Sequence, residues 1–218
     1  MADEKVAVVL SGSGVYDGSE IHEAVLTLLA IDRQGATYQC FAPDIKQHHV
    51  INHLTGEEAD EVRNVLVESA RIARGKIRPL SQFDADAFDA LIFPGGFGAA
   101  KNLSTFAFAG SDCSVNEEVT AAVTAMRDRG KPIGALCISP VILAKIIPGA
   151  TLTIGQDAGT SKAIVAMGGR HERTDHGDVV VDEERNLVTS PCYMLEATIS
   201  QIADDAANTV ATLLGRVR

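Results

Sequence analysis

Apolar residues in this chain fall into two kinds of run, and the two kinds alternate. Short runs dense in apolar side chains occur at Val6 to Leu10, Tyr38 to Ala42, Leu91 to Phe93 and Pro132 to Leu136. Such runs predict strands buried on both faces of a parallel sheet. Between them, apolar residues recur at intervals of three and four, which predicts helices. The first helix begins at about Asp17 or Ser19, carries Ile21, Val25, Leu28 and Leu29, and ends at Gln34 before Gly35. A second shows Val62, Val65, Leu66, Ser69 and Ile72 on one face before Gly75, and a third shows Val115, Val119, Ala122, Val123 and Met126 before Gly130.

The remaining pieces are shorter. Ile77 to Leu80 reads as an edge strand, Leu152 to Ile154 as a strand, and Thr160 to Met167 as a helix closed by Gly168-Gly169. Val179 to Val181 and Leu187 to Thr189 flank a charged turn, the pattern of a strand pair. Leu195, Ile199, Ile202, Ala206 and Val210 mark a C-terminal helix. A long loop is expected from Pro94 to Ser114. The polar, histidine-rich stretch at about 44–58 reads as a small insertion, with a hairpin around His53 to Gly56.

This order predicts one α/β domain over residues 1–218, a mainly parallel sheet covered by helices on both faces. The crevice of such a fold lies beyond the carboxyl ends of its strands. The ends at Ser11 to Gly14, Pro94 to Gly98 and Cys137 are therefore expected to converge on one site. Gly12 to Gly18 has the spacing GxGxxxG rather than GxGxxG, so it reads as a turn, not a dinucleotide site.

Charge changes the picture only by exclusion. Nineteen Lys and Arg stand against twenty-nine Asp and Glu, a formal charge of −10. An acidic chain without a basic run is not expected to bind nucleic acid or an anionic membrane. Met1-Ala2-Asp3-Glu4-Lys5 lacks the basic and apolar regions of a signal peptide, and no apolar run approaches the ~20 residues that span a bilayer. Cys40, Cys113, Cys137 and Cys192 lie far apart with no CxxC pair, so they read as free thiols in a cytoplasmic protein rather than a zinc site. His48, His49 and His53 lack partners at ligand spacing, and no metal is expected.

The candidate chemistry gathers at Cys137. A strand that turns sharply into the helical run Val141 to Ile146 lifts one side chain above the sheet edge. A thiol at a helix N-terminus is expected to lose its proton readily, so Cys137 is the expected nucleophile. Gly95-Gly96 leaves the backbone open to a ligand, and the N–H groups of Gly96 and Ile138 are candidates for an oxyanion hole. Glu23, near the start of the first helix and off its apolar stripe, is the candidate proton carrier, with Glu20 as its competitor. His171 is a further candidate.

Several motifs then match a known family. Phe93 to Ser104 with the elbow Ala135-Leu136-Cys137-Ile138-Ser139-Pro140 resembles the PfpI-like branch of the class I glutamine amidotransferase-like superfamily. Leu10 to Glu23, which includes Gly14, and Val50 to Gly56 are similar to the bacterial isoprenoid-biosynthesis glyoxalase family. The resemblance implies a flavodoxin-like fold and a homodimer. It carries the nucleophile onto Cys137, the thiol-bonded glutamate onto Glu23, and the oxyanion donors onto Gly96 and Ile138. Asn102 and Gly14 are added as possible site residues. The implied activity is a cofactor-independent conversion of glyoxal or methylglyoxal to glycolate or lactate. A redox-sensing thiol or a protein deglycase would use the same cysteine. The amidotransferases' His-x-Glu pair after the elbow is missing here; His171-Glu172 is adjacent instead. No histidine stands near Thr153-Ile154-Gly155, where related glyoxalases place one, so a slow enzyme is expected.

Overall fold

A computed structural model describes residues 4–217. The expectation drawn from Met1 to Asp3 lies outside the described residues. Seven strands form one sheet: β1 (Lys5–Val9), β2 (Thr37–Ala42), β3 (Ile77–Pro79), β4 (Ala90–Phe93), β5 (Ile133–Leu136), β8 (Val180–Asp182) and β9 (Leu187–Ser190). Their order is β3-β2-β1-β4-β5-β9-β8, and every pairing is parallel except β8 with β9. β6 (Thr151–Leu152) and β7 (Arg170–His171) make a separate two-stranded pair.

The alternation of side chains in β1 shows why the sheet is covered twice. Val6 and Val8 face one layer and Ala7 and Val9 the other, and all four are buried. On the first face lie α1 (Ile21–Arg33), α2 (Val65–Ile72) and α8 (Ile199–Leu214); on the second lie α5 (Glu117–Asp128) and α6 (Pro140–Ile146). A strand flanked in this way needs apolar residues at every position, which is the run seen in the sequence.

Three details depart from the expected pattern. α1 starts at Ile21, because the Glu20 carboxylate accepts the Glu23 N–H at 2.7 Å and caps the helix there. Its buried face is Glu23, Ala24, Thr27, Leu28 and Ile31, while Ile21, Val25 and Leu29 are 45, 45 and 38 % exposed. Ala24 and Thr27 are among the inward positions, and α1 packs closely on α8. α2 starts at Val65, where the Asn64 side chain caps it; Val62 lies in the preceding loop, 77 % exposed. The stretch after β4 is not a plain loop: it holds α3 (Phe97–Lys101) and α4 (Phe106–Ala109). α7 (Ala158–Ala166) completes the set, capped by Asp157. No helix among the described residues is long and apolar enough to cross a membrane.

Candidate active site

Cys137 follows β5 directly and adopts φ +59°, a left-handed backbone that disfavours an ordinary side chain. Neighbours hold the turn in place. The Cys137 N–H donates to the Ser190 carbonyl at the end of β9 (3.0 Å), and the Ser139 hydroxyl donates to the Pro94 carbonyl after β4 (2.8 Å). Strain of this kind persists where surrounding structure over-determines it, and it concentrates at functional sites.

Glu23 meets Cys137 from α1. Its carboxyl is fully buried and hydrogen-bonds the thiol. One carboxyl oxygen also accepts the Gly95 N–H at 2.9 Å, and the other accepts the Tyr193 N–H at 3.2 Å. Tyr193 can reach it because Cys192 before it turns left-handed, at φ +43°. Gly95 is packed so tightly that a β-carbon there would overlap the Cys137 side chain and the Glu23 carboxyl. The N–H groups of Gly96 and Ile138 both point at the sulfur. Cys137, Glu23, Gly95, Gly96 and Ile138 are thus brought together.

The protonation state is not the expected one. Burial, aided by the nearby Glu20 charge, pushes the Glu23 carboxyl up to about 8. Burial, and then the Glu23 carboxyl, also hold the Cys137 thiol well above its ordinary value. The expected activation by the helix N-terminus is outweighed. α6 has only seven residues and no side-chain cap, whereas the sulfur is withdrawn from water. At neutral pH the resting pair is therefore largely uncharged, with Glu23 poised to take or give a proton.

The sulfur is not sealed in. It lines a cavity of about 400 Å³, with Ile138 and Gly96 beside it. Val15, Phe97, Ala100, Phe106, Tyr193 and Met194 also line it. Asp157 and Thr160, at the start of α7, supply polar atoms. The Tyr193 hydroxyl and His22 Nδ1 share a hydrogen bond of 2.9 Å, so His22 braces a cavity wall instead of standing apart from the site.

Three candidates fall elsewhere. His171 sits on β7 and does not line the cavity. Gly14, at φ +133°, packs against His53 and Asp17, and only its neighbour Val15 reaches the cavity. Asn102 is a strut: its amide donates to the Ser11 and Asp17 carbonyls (both 2.9 Å), and its oxygen accepts the His48 N–H (3.0 Å). It ties the loop after β1, the segment at 44–58 and α3 into one body. No pattern in the sequence pointed to Tyr193, Met194, Phe106 or Asp157. Tyr193 and Met194 follow a strand end at Ser190-Pro191, a position that earns the same scrutiny as the ends at Pro94 and Cys137. Among the described residues no group of three or more His, Cys, Asp or Glu is placed to hold a metal ion.

A parallel sheet with an elbow cysteine, a buried acid and two backbone donors defines a nucleophile-elbow protein of the flavodoxin-like kind. The chain belongs to the DJ-1/PfpI family, whose pattern matches residues 15–196. A human protein named "Glutamine amidotransferase-like class 1 domain-containing protein 3, mitochondrial" is 48 % identical over 220 residues, spanning 96 % of this chain and 82 % of that one. The zebrafish (Danio rerio) "ES1 protein, mitochondrial" is 36 % identical over 208 residues, spanning 88 % and 77 %. Among solved structures, an isoprenoid biosynthesis protein with amidotransferase-like domain from Ehrlichia chaffeensis superposes with a TM-score of 0.90 at 36 % identity, covering 97 % and 99 % of the two chains.

Proposed function

We propose that this protein is a glutathione-independent glyoxalase that converts glyoxal or methylglyoxal to glycolate or lactate. The observation that supports this reading is one buried carboxyl, with its pKa near 8, bonded to a cysteine that opens onto a cavity. A group that titrates close to working pH can both take and return a proton.

In the proposed reaction an aldehyde carbon lies over Sγ. In the fraction of molecules whose Glu23 is ionised, the carboxylate takes the thiol proton as the sulfur–carbon bond forms and passes it to the aldehyde oxygen, giving a hemithioacetal and leaving Glu23 ionised again. The N–H groups of Gly96 and Ile138 stabilise that oxygen while it is negative. The ionised Glu23 then removes the hydrogen from the sulfur-bearing carbon and returns a proton to the adjacent carbonyl carbon. The one hydroxyl proton moves from the oxygen on the sulfur-bearing carbon to the oxygen on its neighbour, and the product is a thioester of a 2-hydroxy acid. Water cleaves the thioester, releasing the acid and restoring the thiol. The scheme is redox-neutral: one carbon is oxidised as its neighbour is reduced.

A redox sensor would call for an exposed thiol of low pKa. The burial and raised pKa of Cys137 depart from that description. A homodimer is part of the same proposal, supported by the exposed stripe Ile21, Val25 and Leu29 on α1; light scattering of the purified protein checks it.

Product analysis with glyoxal tests the reading. Wild type should form glycolate, and Cys137→Ala should form none. Equal glycolate from the variant, or none from wild type, would overturn it.

A further inference from the structure

The cavity over Cys137 is poorly matched to the two smallest dicarbonyls. Glyoxal and methylglyoxal occupy about the volume of three or four waters, or about 100 Å³ at ~30 Å³ per water. The cavity is about 400 Å³. Its walls are also wrong for a small hydrated molecule: Phe97, Phe106, Ala100, Ile138 and Met194 present rings, methyl groups and a thioether. Apolar walls with a few placed polar groups are the usual design for a ligand with an apolar body.

Charge narrows the choice. Asp157 is the only charged side chain among the residues lining the cavity apart from the reacting pair, and it is an acid. The Thr160 N–H donates to it at 2.7 Å and holds its carboxyl below the usual range, so it stays ionised. Lys101, one residue beyond the lining Ala100, does not line the cavity: its ammonium donates to the Tyr16 carbonyl at 2.8 Å and lines a separate cleft that shares Phe97. Nothing in the cavity would offset a phosphate or carboxylate on the substrate.

We infer that the preferred substrate is an uncharged 2-oxoaldehyde with an aromatic or branched apolar substituent, seated against the apolar lining that includes Phe97 and Phe106, rather than glyoxal or methylglyoxal. The inference rests on the glyoxalase reading above and refines its substrate. The chemistry is unchanged: for phenylglyoxal, addition at the aldehyde, transfer of the hydrogen to the benzylic carbon and hydrolysis by one water give mandelate.

The test compares kcat/KM for glyoxal, methylglyoxal and phenylglyoxal. One added apolar group in a fitted pocket changes kcat/KM by about 10–200-fold. Phenylglyoxal should therefore exceed glyoxal by at least ~10-fold. Intrinsic reactivity is removed by a second comparison: in Phe106→Ala the phenylglyoxal-to-glyoxal ratio should fall by ~10-fold relative to wild type. Glyoxal preferred by wild type, or a ratio unmoved in the variant, would overturn the inference and leave the glyoxalase reading intact. Absence of turnover with all three would sink the reading itself. A separate measurement then judges the cavity. Acetophenone, which has the apolar body but no aldehyde, should slow alkylation of Cys137 by iodoacetamide at concentrations where acetone does not; equal protection by the two would count against an apolar ligand.

Discussion

Burial of Glu23 should leave a signature in stability that does not depend on any substrate. A carboxyl whose pKa rises from 4.5 to about 8 on folding binds its proton more tightly in the native state. Stability is then greatest below the unfolded pKa, falls as pH rises through the interval, and levels off above about 8. The shift of about 3.5 units corresponds to about 5 kcal/mol over the whole interval, at 1.36 kcal/mol per unit. Glu23→Gln removes the titration. It also costs a pH-independent ~1–3 kcal/mol, because the amide cannot accept from both the Gly95 and Tyr193 N–H groups. The informative quantity is therefore the change in the difference between wild type and variant. Between about pH 5 and about pH 7.5 that difference should move by about 3 kcal/mol in favour of the variant. Cys137 adds nothing in this window, since its thiol stays protonated well above it. Urea unfolding at the two pH values measures the effect. A difference constant to within about 0.5 kcal/mol would mean that Glu23 is not held as an uncharged acid, and the argument for its role as proton carrier would lose its basis.

Other consequences are open to simpler assays. With glyoxal, kcat/KM should rise about tenfold per pH unit below about 8 and flatten above it, because the base form of Glu23 grows with pH. In Glu23→Gln the rate should fall by ~10²-fold or more, and a flat wild-type profile would argue against the assignment. Gly95→Ala should lower stability by ~1–3 kcal/mol in thermal or denaturant unfolding, since the new methyl overlaps both the Cys137 side chain and the Glu23 carboxyl. Asn102→Ala removes two amide donations and the acceptor for His48, and should cost ~2 kcal/mol in denaturant unfolding.

What could be read from the sequence follows from what each residue's setting demands. Buried parallel strands must be apolar at every position, so β1, β4 and β5 stood out, and Cys137 with Gly95-Gly96 could be placed at their ends. The face of α1 could not be read in the same way. Where α1 packs on α8, Ala24 and Thr27 go inward and the larger Ile21, Val25 and Leu29 stay outside, the reverse of a size-ordered stripe. α3 and α4 are too short for a periodic pattern to appear. The charge on the thiol was misjudged for another reason. Chain order shows that a helix follows Cys137, but it does not show how completely the surrounding layers exclude water. Tyr193 and Met194 escaped notice because they enter through a left-handed turn at Cys192, a conformation that a cysteine does not announce.

The two clamps on Glu23 come from far apart in the chain: Gly95 is 72 positions away and Tyr193 is 170. A ribosome making this protein therefore releases α1, the glycine pair and the elbow well before the residue that completes the acid's setting. Until Tyr193 has emerged, the carboxyl lacks one of its two backbone clamps. The proton-carrying pair is therefore a product of the whole domain: its acid is clamped only when the far end of the chain has folded back beside the first helix.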